Sequence, residues 1–324
     1  VQEVWDHSAA RGIVALARSV RLPYLVGYCM NRDVPRDELM IDWIGDEQDQ
    51  SRVAVAAGYF RAKFLAEPHA LQEVLAGCSE DVAAALLITH PDSVEASVVA
   101  ESLSEGVASI YWQRFSTSGH GRSEIWKTAP TQLIKHGRPS AALDLLALYV
   151  DSDGFSTPKN TEVIATGFEE LLRLGREDPD VGSLDEYRVD RLLEAMAQGH
   201  GQVNKQRLIA IEWQFAPLDS FYPEAPTIHA TLSDDPDFFV HMVSRVYGRD
   251  HDIRNEDDSE RATADPGRAW TLLRNFKRLP GRLSSGGVDE EVLSRWVVRA
   301  RNKFNAIELS DVGDQEIGGL LARS

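Results

Sequence analysis

The stretch Ser116-Thr117-Ser118-Gly119-His120-Gly121-Arg122-Ser123 carries the residue types of a phosphate cradle: a G-x-G, hydroxyls, a cation and a helix expected to follow. It lacks the Gly-Lys-Ser/Thr of a P-loop and no strand precedes it, so an inter-helix loop is the plainer reading. Nine histidines are scattered along the chain, and none forms an H-E-x-x-H pair. His251 stands between Asp250 and Asp252, a trio whose oxygens and imidazole suit a divalent ion. That trio belongs to a run of charge for which simple solvation is the plainer reading. His136 and His200 adjoin glycines at expected helix ends, where an imidazole can bond terminal carbonyls. There is no nucleophile elbow, and neither Cys29 nor Cys78 has an electropositive context. The adjacent pair Glu169-Glu170 gives no distinctive acid–base signal, and Asp289-Glu290-Glu291 reads as an acidic helix start favoured by the dipole. The expectation is a chain without catalytic residues, resident metal or cofactor.

Aromatic residues are densest in Trp213-Gln214-Phe215-Ala216-Pro217-Leu218, followed by Phe221-Tyr222-Pro223. Trp and Tyr are favoured at the centres of protein interfaces. A packed corner between two helical hairpins uses the same residues. If the chain contacts a partner, Trp213, Phe215, Phe221, Tyr222, His120 and Arg122 are the expected contact residues. Tyr111, Trp112, Trp270 and Trp296 lie on apolar helix faces and are expected in the core.

Charge narrows the partner classes. Lys and Arg total 34 against 51 Asp and Glu, a formal net charge of −17, whose field repels a phosphate backbone. Nucleic acid is therefore disfavoured, and Arg274-Asn275-Phe276-Lys277-Arg278 with Arg282 reads as a solvated helix end. Two cysteines make neither a disulfide framework nor a four-ligand zinc site, and both are expected as small buried hydrophobes in a reducing compartment. No apolar run approaches the roughly 20 residues of a membrane span, and no signal peptide is visible, so the expectation is a cytoplasmic protein.

The elements that position these residues are helical. The 43% apolar share suffices for a core. Apolar positions recur at helical spacing in 80–89 (Val82, Ala83, Leu86, Leu87), in 187–197 (Val189, Leu192, Leu193, Met196) and in 236–247 (Phe238, Phe239, Met242, Val243, Val246). Residues 139–150 are apolar nearly all round, which predicts a helix buried between neighbours. Starts are marked by Asp92, Asp235-Pro236, Asp265-Pro266, Glu67-Pro68 and Arg138-Pro139, and stops by Gly77, Gly106, Gly137, Gly175 and Gly199. Together these give about seventeen short helices joined by short turns.

Such an order predicts an all-α fold, a degenerate α-solenoid of antiparallel hairpins of tetratricopeptide or HEAT type, without a fixed repeat period. The expected division is a helical-repeat array over 1–232 and a smaller helical module over 233–324, interrupted by the acidic loop 248–265 with its seven carboxylates. The opening Val1-Gln2-Glu3-Val4-Trp5 and the closing Ile317-Gly318-Gly319-Leu320-Leu321 both read as helix in progress, which predicts a piece of a longer protein.

From Ile211 onward stands a series of short motifs: Ile211-Glu212-Trp213, Pro217-Leu218, Asp234-Asp235-Pro236-Asp237-Phe238-Phe239-Val240, Val246-Tyr247, Ala269-Trp270-x-Leu272-Leu273, Leu279-Pro280-Gly281, Val288-Asp289, Leu293-x-x-Trp296-Val297 and Val312-Gly313-Asp314-Gln315-x-Ile317-Gly318. They resemble the helical tails of large bacterial proteins, which in turn resemble the repeat-containing sensor regions of STAND-type NTPases of antiviral defence. The likeness covers about a third of the chain by motif. It implies a region that binds a protein partner, with a phage component as the candidate, while nucleotide-binding and effector modules lie elsewhere in such proteins. It transfers no functional residue to this sequence. An oligomerisation scaffold and an enzyme with a site between helices are the alternatives.

Overall fold

The computed structural model describes residues 1–31, 36–46, 48–118, 124–152, 155, 157–198, 203–216, 225–247, 266–274, 276, 280–281 and 287–304. Among them are seventeen α-helices, two 3-10 helices and no strand, so the fold class is all-α. The chain divides into two compact units, Val1–Arg138 and Pro139–Ser324.

The first unit contains α1 (Gln2–Ser19), α2 (Pro23–Met30), α3 (Asp37–Ile44), α4 (Gln50–Ala66), α5 (Ala70–Leu75), α6 (Glu80–Thr89), α7 (Ser93–Leu103), α8 (Glu105–Arg114), a 3-10 turn at Glu124–Lys127 and α9 (Ala129–Lys135). α1 is broken at Ala9, whose φ of 46° lies outside the helical region. The closest packing joins α2 to α4. A Cβ on Gly27 would stand 1.7 Å from the Val55 carbonyl oxygen, and one on Gly58 would stand 1.9 Å from that of Tyr24. Residue 24 meets 58 and 27 meets 55, so the two helices run antiparallel with their backbones in contact.

The second unit contains α10 (Pro139–Tyr149), α11 (Pro158–Leu174), a 3-10 turn at Gly175–Glu177, α12 (Glu186–Gln198), α13 (Lys205–Phe215), α14 (Pro226–Asp234), α15 (Pro236–Tyr247), α16 (Pro266–Arg274) and α17 (Glu290–Phe304). Helices near in sequence pack on one another: α10 with α11 and α12, α14 with α13 and α15, and α15 with α16 and α17. Residue 232, where the module boundary was expected, lies within α14, and the acidic stretch 248–265 is outside the described residues.

Start and stop chemistry explains the boundaries. Asp92 accepts from the amides of Val94 (2.9 Å) and Glu95 (3.1 Å), Asp235 from those of Asp237 (2.9 Å) and Phe238 (3.4 Å), and Asp289 from those of Glu291 (3.0 Å) and Val292 (3.1 Å). Pro139 and Pro236 open α10 and α15. Pro68 does not open a helix: the Ala70 amide bonds back to the Glu67 carbonyl (3.0 Å), closing a turn before α5 begins. Gly137, at φ 75°, ends α9 with paired bonds from Gly137 N to Ile134 O (3.0 Å) and Arg138 N to Leu133 O (2.8 Å), a Schellman motif. Gly106 is not a stop. It is the second residue of α8, where a Cβ would collide with the Glu80 carboxylate.

The apolar stripes point inward. Ala83, Leu86 and Leu87 of α6, Val189, Leu192, Leu193 and Met196 of α12, and Phe239, Met242 and Val243 of α15 are all buried. Tyr111, Trp112 and Trp296 are buried as expected, whereas Trp270 is half-buried. α10 is buried from Pro139 to Leu146 except at half-buried Asp144, but Leu148 is exposed. Cys29 is also exposed, contrary to expectation. α2 packs through Val26, Gly27 and Met30, and Cys29 flanks that face on the outward side, one turn after the exposed Leu25. Cys78 is half-buried with its thiol bonded to the Val74 carbonyl (3.1 Å), and burial raises its pKa.

Candidate functional site

Of the six residues expected at a partner contact, the structure describes two. Trp213 lies on the inner side of α13, 2% exposed, and so serves the packed corner between hairpins that the same sequence also allowed. Phe215, the last residue of that helix, is half-buried with its ring 4.6 Å from that of Phe168 on α11. His120, Arg122, Phe221 and Tyr222 lie outside the described residues, as do His200 and the His251 trio. His136 does not bond the carbonyls at the end of α9, because the Gly137 and Arg138 amides already take them. Its Nε2 is buried without a hydrogen-bond partner, and burial together with Lys135 lowers its pKa and favours the neutral ring.

The groups that sequence reasoning missed are buried ionisable side chains drawn from one hairpin to the helix end of another. Glu212 on α13 is 1% exposed. One carboxyl oxygen accepts from the Thr227 amide (2.9 Å) and the other from the Ile228 amide (2.8 Å), the second and third residues of α14. The residue before α14 is Ala225, which offers no side-chain acceptor, so Glu212 caps that helix from outside it. Burial pushes the Glu212 carboxyl up to about 7, against the downward pull of the Thr227 side chain and the two amides.

Asp178 repeats the device. It is 1% exposed and accepts from the Ser140 amide (2.8 Å) at the start of α10 and from the Asp180 amide (2.9 Å). A third group works at the opposite helix end. The Nη1 of buried Arg138 donates to the carbonyls of Trp112 and Phe115, both at 2.7 Å, closing the C-terminus of α8 with positive charge.

The remaining clusters also tie helices together. Tyr59 of α4, fully buried, accepts from the Arg36 amide (2.8 Å) and donates to Asp37 (2.9 Å), which also pairs with Lys63. Burial, before these bonds, pushes the Tyr59 hydroxyl up to about 12. Arg207 of α13 holds Glu169 of α11 through two bonds (2.5 and 2.7 Å) and Glu162 through a third (2.6 Å), which raises its already high pKa. Arg188 and Arg191 of α12 pair with Asp144 and Asp151. Arg299 of α17 reaches Asp237 at the start of α15 (2.7 Å).

His90 differs from these. Its Nδ1 lies 2.8 Å from the Asp92 carbonyl, and its Nε2 is buried without a hydrogen-bond partner, 3.9 Å from Glu95. Among the described residues no three His, Cys, Asp or Glu converge as a metal site, and no helix is long and apolar enough to cross a membrane. Chemically, the buried Glu212, Asp178 and Arg138 are engaged with backbone groups at helix ends, in positions that hold helices. No family model, no curated protein and no solved structure matches the chain.

Proposed function

We propose that the chain is a non-catalytic helical-repeat module that recognises a protein. The observation behind this reading is the division of labour among its side chains. Glu212, Asp178, Arg138 and the Tyr59–Asp37–Lys63 set are spent on helix ends and joints. Meanwhile Leu22, Leu25, Leu65, Val98, Leu148 and Tyr187 are each at least half exposed. Binding surfaces are built from such outward apolar side chains on a rigid frame. Packing between helices near in sequence supports a repeat architecture of tetratricopeptide or HEAT type. The motifs from Ile211 onward support a sensor role of the kind found in STAND-type antiviral NTPases of bacteria. On this reading the protein is cytoplasmic and its partner is a phage component.

The test is capture. The immobilised chain is exposed to extracts of phage-infected and uninfected bacteria, and retained proteins are identified by mass spectrometry. The expected result is one species enriched from infected extract alone. No enrichment, with self-association of the chain in sedimentation, would replace the sensor by an oligomerisation scaffold.

A further inference from the structure

Charge is spread unevenly over the first unit. Between Phe64 and Gln113 the sequence holds eight Asp or Glu and no Lys or Arg. All eight carboxylates stand on or beside α5 to α8, and all eight residues are exposed. Among the described residues, the one Lys or Arg ion pair that any of them makes is Asp81 with Arg114 (3.3 Å). In α10 to α13 the pattern is the reverse, with Arg188, Arg191 and Arg207 paired to Asp144, Asp151, Glu162 and Glu169. Helix dipoles favour carboxylates in first turns, as at Glu80, Glu95 and Glu105, but leave their charge in place.

Beneath this charge lies an acceptor without a donor. His90, between α6 and α7, is 5% exposed. The Asp92 carbonyl stands 2.8 Å from Nδ1, which puts the proton of the neutral ring there and makes Nε2 an acceptor. Nε2 is buried without a hydrogen-bond partner, and a Glu95 carboxyl oxygen faces it at 3.9 Å. Two acceptors so placed call for a positively charged N–H donor between them, since a buried acceptor left unpaired is costly. One turn beyond Glu95, Val98 is 64% exposed, and exposed Ser102 follows a turn later. Glu95, Val98 and Ser102 therefore form one outward row, opposite the buried Ser93, Ala96, Ser97 and Ala100.

We propose that the outward row of α7 docks an arginine- or lysine-bearing segment of the recognised protein, its cation bridging Glu95 and His90 Nε2 and an apolar neighbour covering Val98. The proposal rests on the reading of the chain as a protein-binding module. Charge complementarity selects the occupant, because the carboxylates of α5 to α8 attract a basic segment and repel an acidic one. The half-exposed Glu95 side chain swings outward to admit the donor to Nε2.

The test is an NMR titration of the full chain at neutral pH. The probe is a synthetic glycine–serine peptide carrying one Arg-Ser-Leu, and its control has citrulline, neutral and of the same shape, in place of arginine. Saturable shifts are expected at His90 Nε2 and the Val98 methyls, with about tenfold weaker binding of the citrulline peptide. Glu95→Gln changes an exposed side chain and leaves the Asp92 cap of α7 intact, and is expected to weaken the arginine peptide by about the same factor. Equal binding of the two peptides, or no loss in Glu95→Gln, would overturn the docking surface. So would shifts on α11 and α12 as large as those on α7, or an imidazolium at His90 in the chain alone, which would supply the missing donor from within. Capture from infected extract keeps the two readings apart. A partner retained equally by Glu95→Gln docks elsewhere, which refutes this surface and leaves the binding module standing. Nothing captured by the unaltered chain, while the peptide binds as expected, refutes the sensor reading alone.

Discussion

Gly58→Ala is expected to destabilise the first unit by about 4 kcal/mol, a cost beyond that of an ordinary overpacked core. Helix propensity alone predicts the opposite, since alanine in place of an interior helical glycine gains roughly 1 kcal/mol. Packing decides the sign. The added Cβ would stand 1.9 Å from the Tyr24 carbonyl oxygen, an atom of helix backbone that no rotamer change can move. α2 and α4 would have to separate by more than 1 Å, and the dispersion contacts along their whole antiparallel crossing would weaken together. Gly27→Ala meets the Val55 carbonyl in the same way and should cost about as much. Urea unfolding with hydrogen exchange at α2 and α4 measures the effect. A neutral or stabilising Gly58→Ala would mean that the two backbones are not in contact.

Arg138→Ala is expected to lower the stability of the same unit by about 3 kcal/mol. The substitution leaves the Trp112 and Phe115 carbonyls at the end of α8 without the Nη1 that bonds both. Those carbonyls lie beside Tyr111, Trp112 and Phe115, whose rings pack within 5.0 to 5.7 Å of one another, so water cannot easily replace the donor. Because a single nitrogen makes both bonds, Arg138→Lys should recover more than half of the loss. Arg138→Met, which keeps the apolar stem and removes the charge, should not. Equal losses for lysine and methionine would show that the stem, and not the donor, is what matters.

The frame was legible where the deciding interaction is local. Asp92 and Asp235 cap helices two and three residues ahead, and Gly137 closes α9 within one turn, so composition and spacing were enough. The joints were not legible for the converse reason. Glu212 acts on amides 15 and 16 residues away and Asp178 on one 38 residues away, and in sequence both look like ordinary surface carboxylates. Gly27 and Gly58 likewise read only as weak helix formers until their partner backbones are known. Trp213 shows the limit of composition for finding a binding surface. An indole suited to an interface and an indole filling a corner look alike in sequence, and burial makes it the second. Cys29 erred in the other direction, because an apolar neighbourhood says nothing about which face of α2 is turned outward.

The proposed function is binding, with no chemistry carried out by this chain itself. Isothermal titration calorimetry of the full chain against the protein captured from infected extract tests it most directly. The account predicts a saturable isotherm whose heat returns to baseline once the sites are filled. Heat that continues after saturation, in proportion to the chain present, would reveal turnover and contradict it.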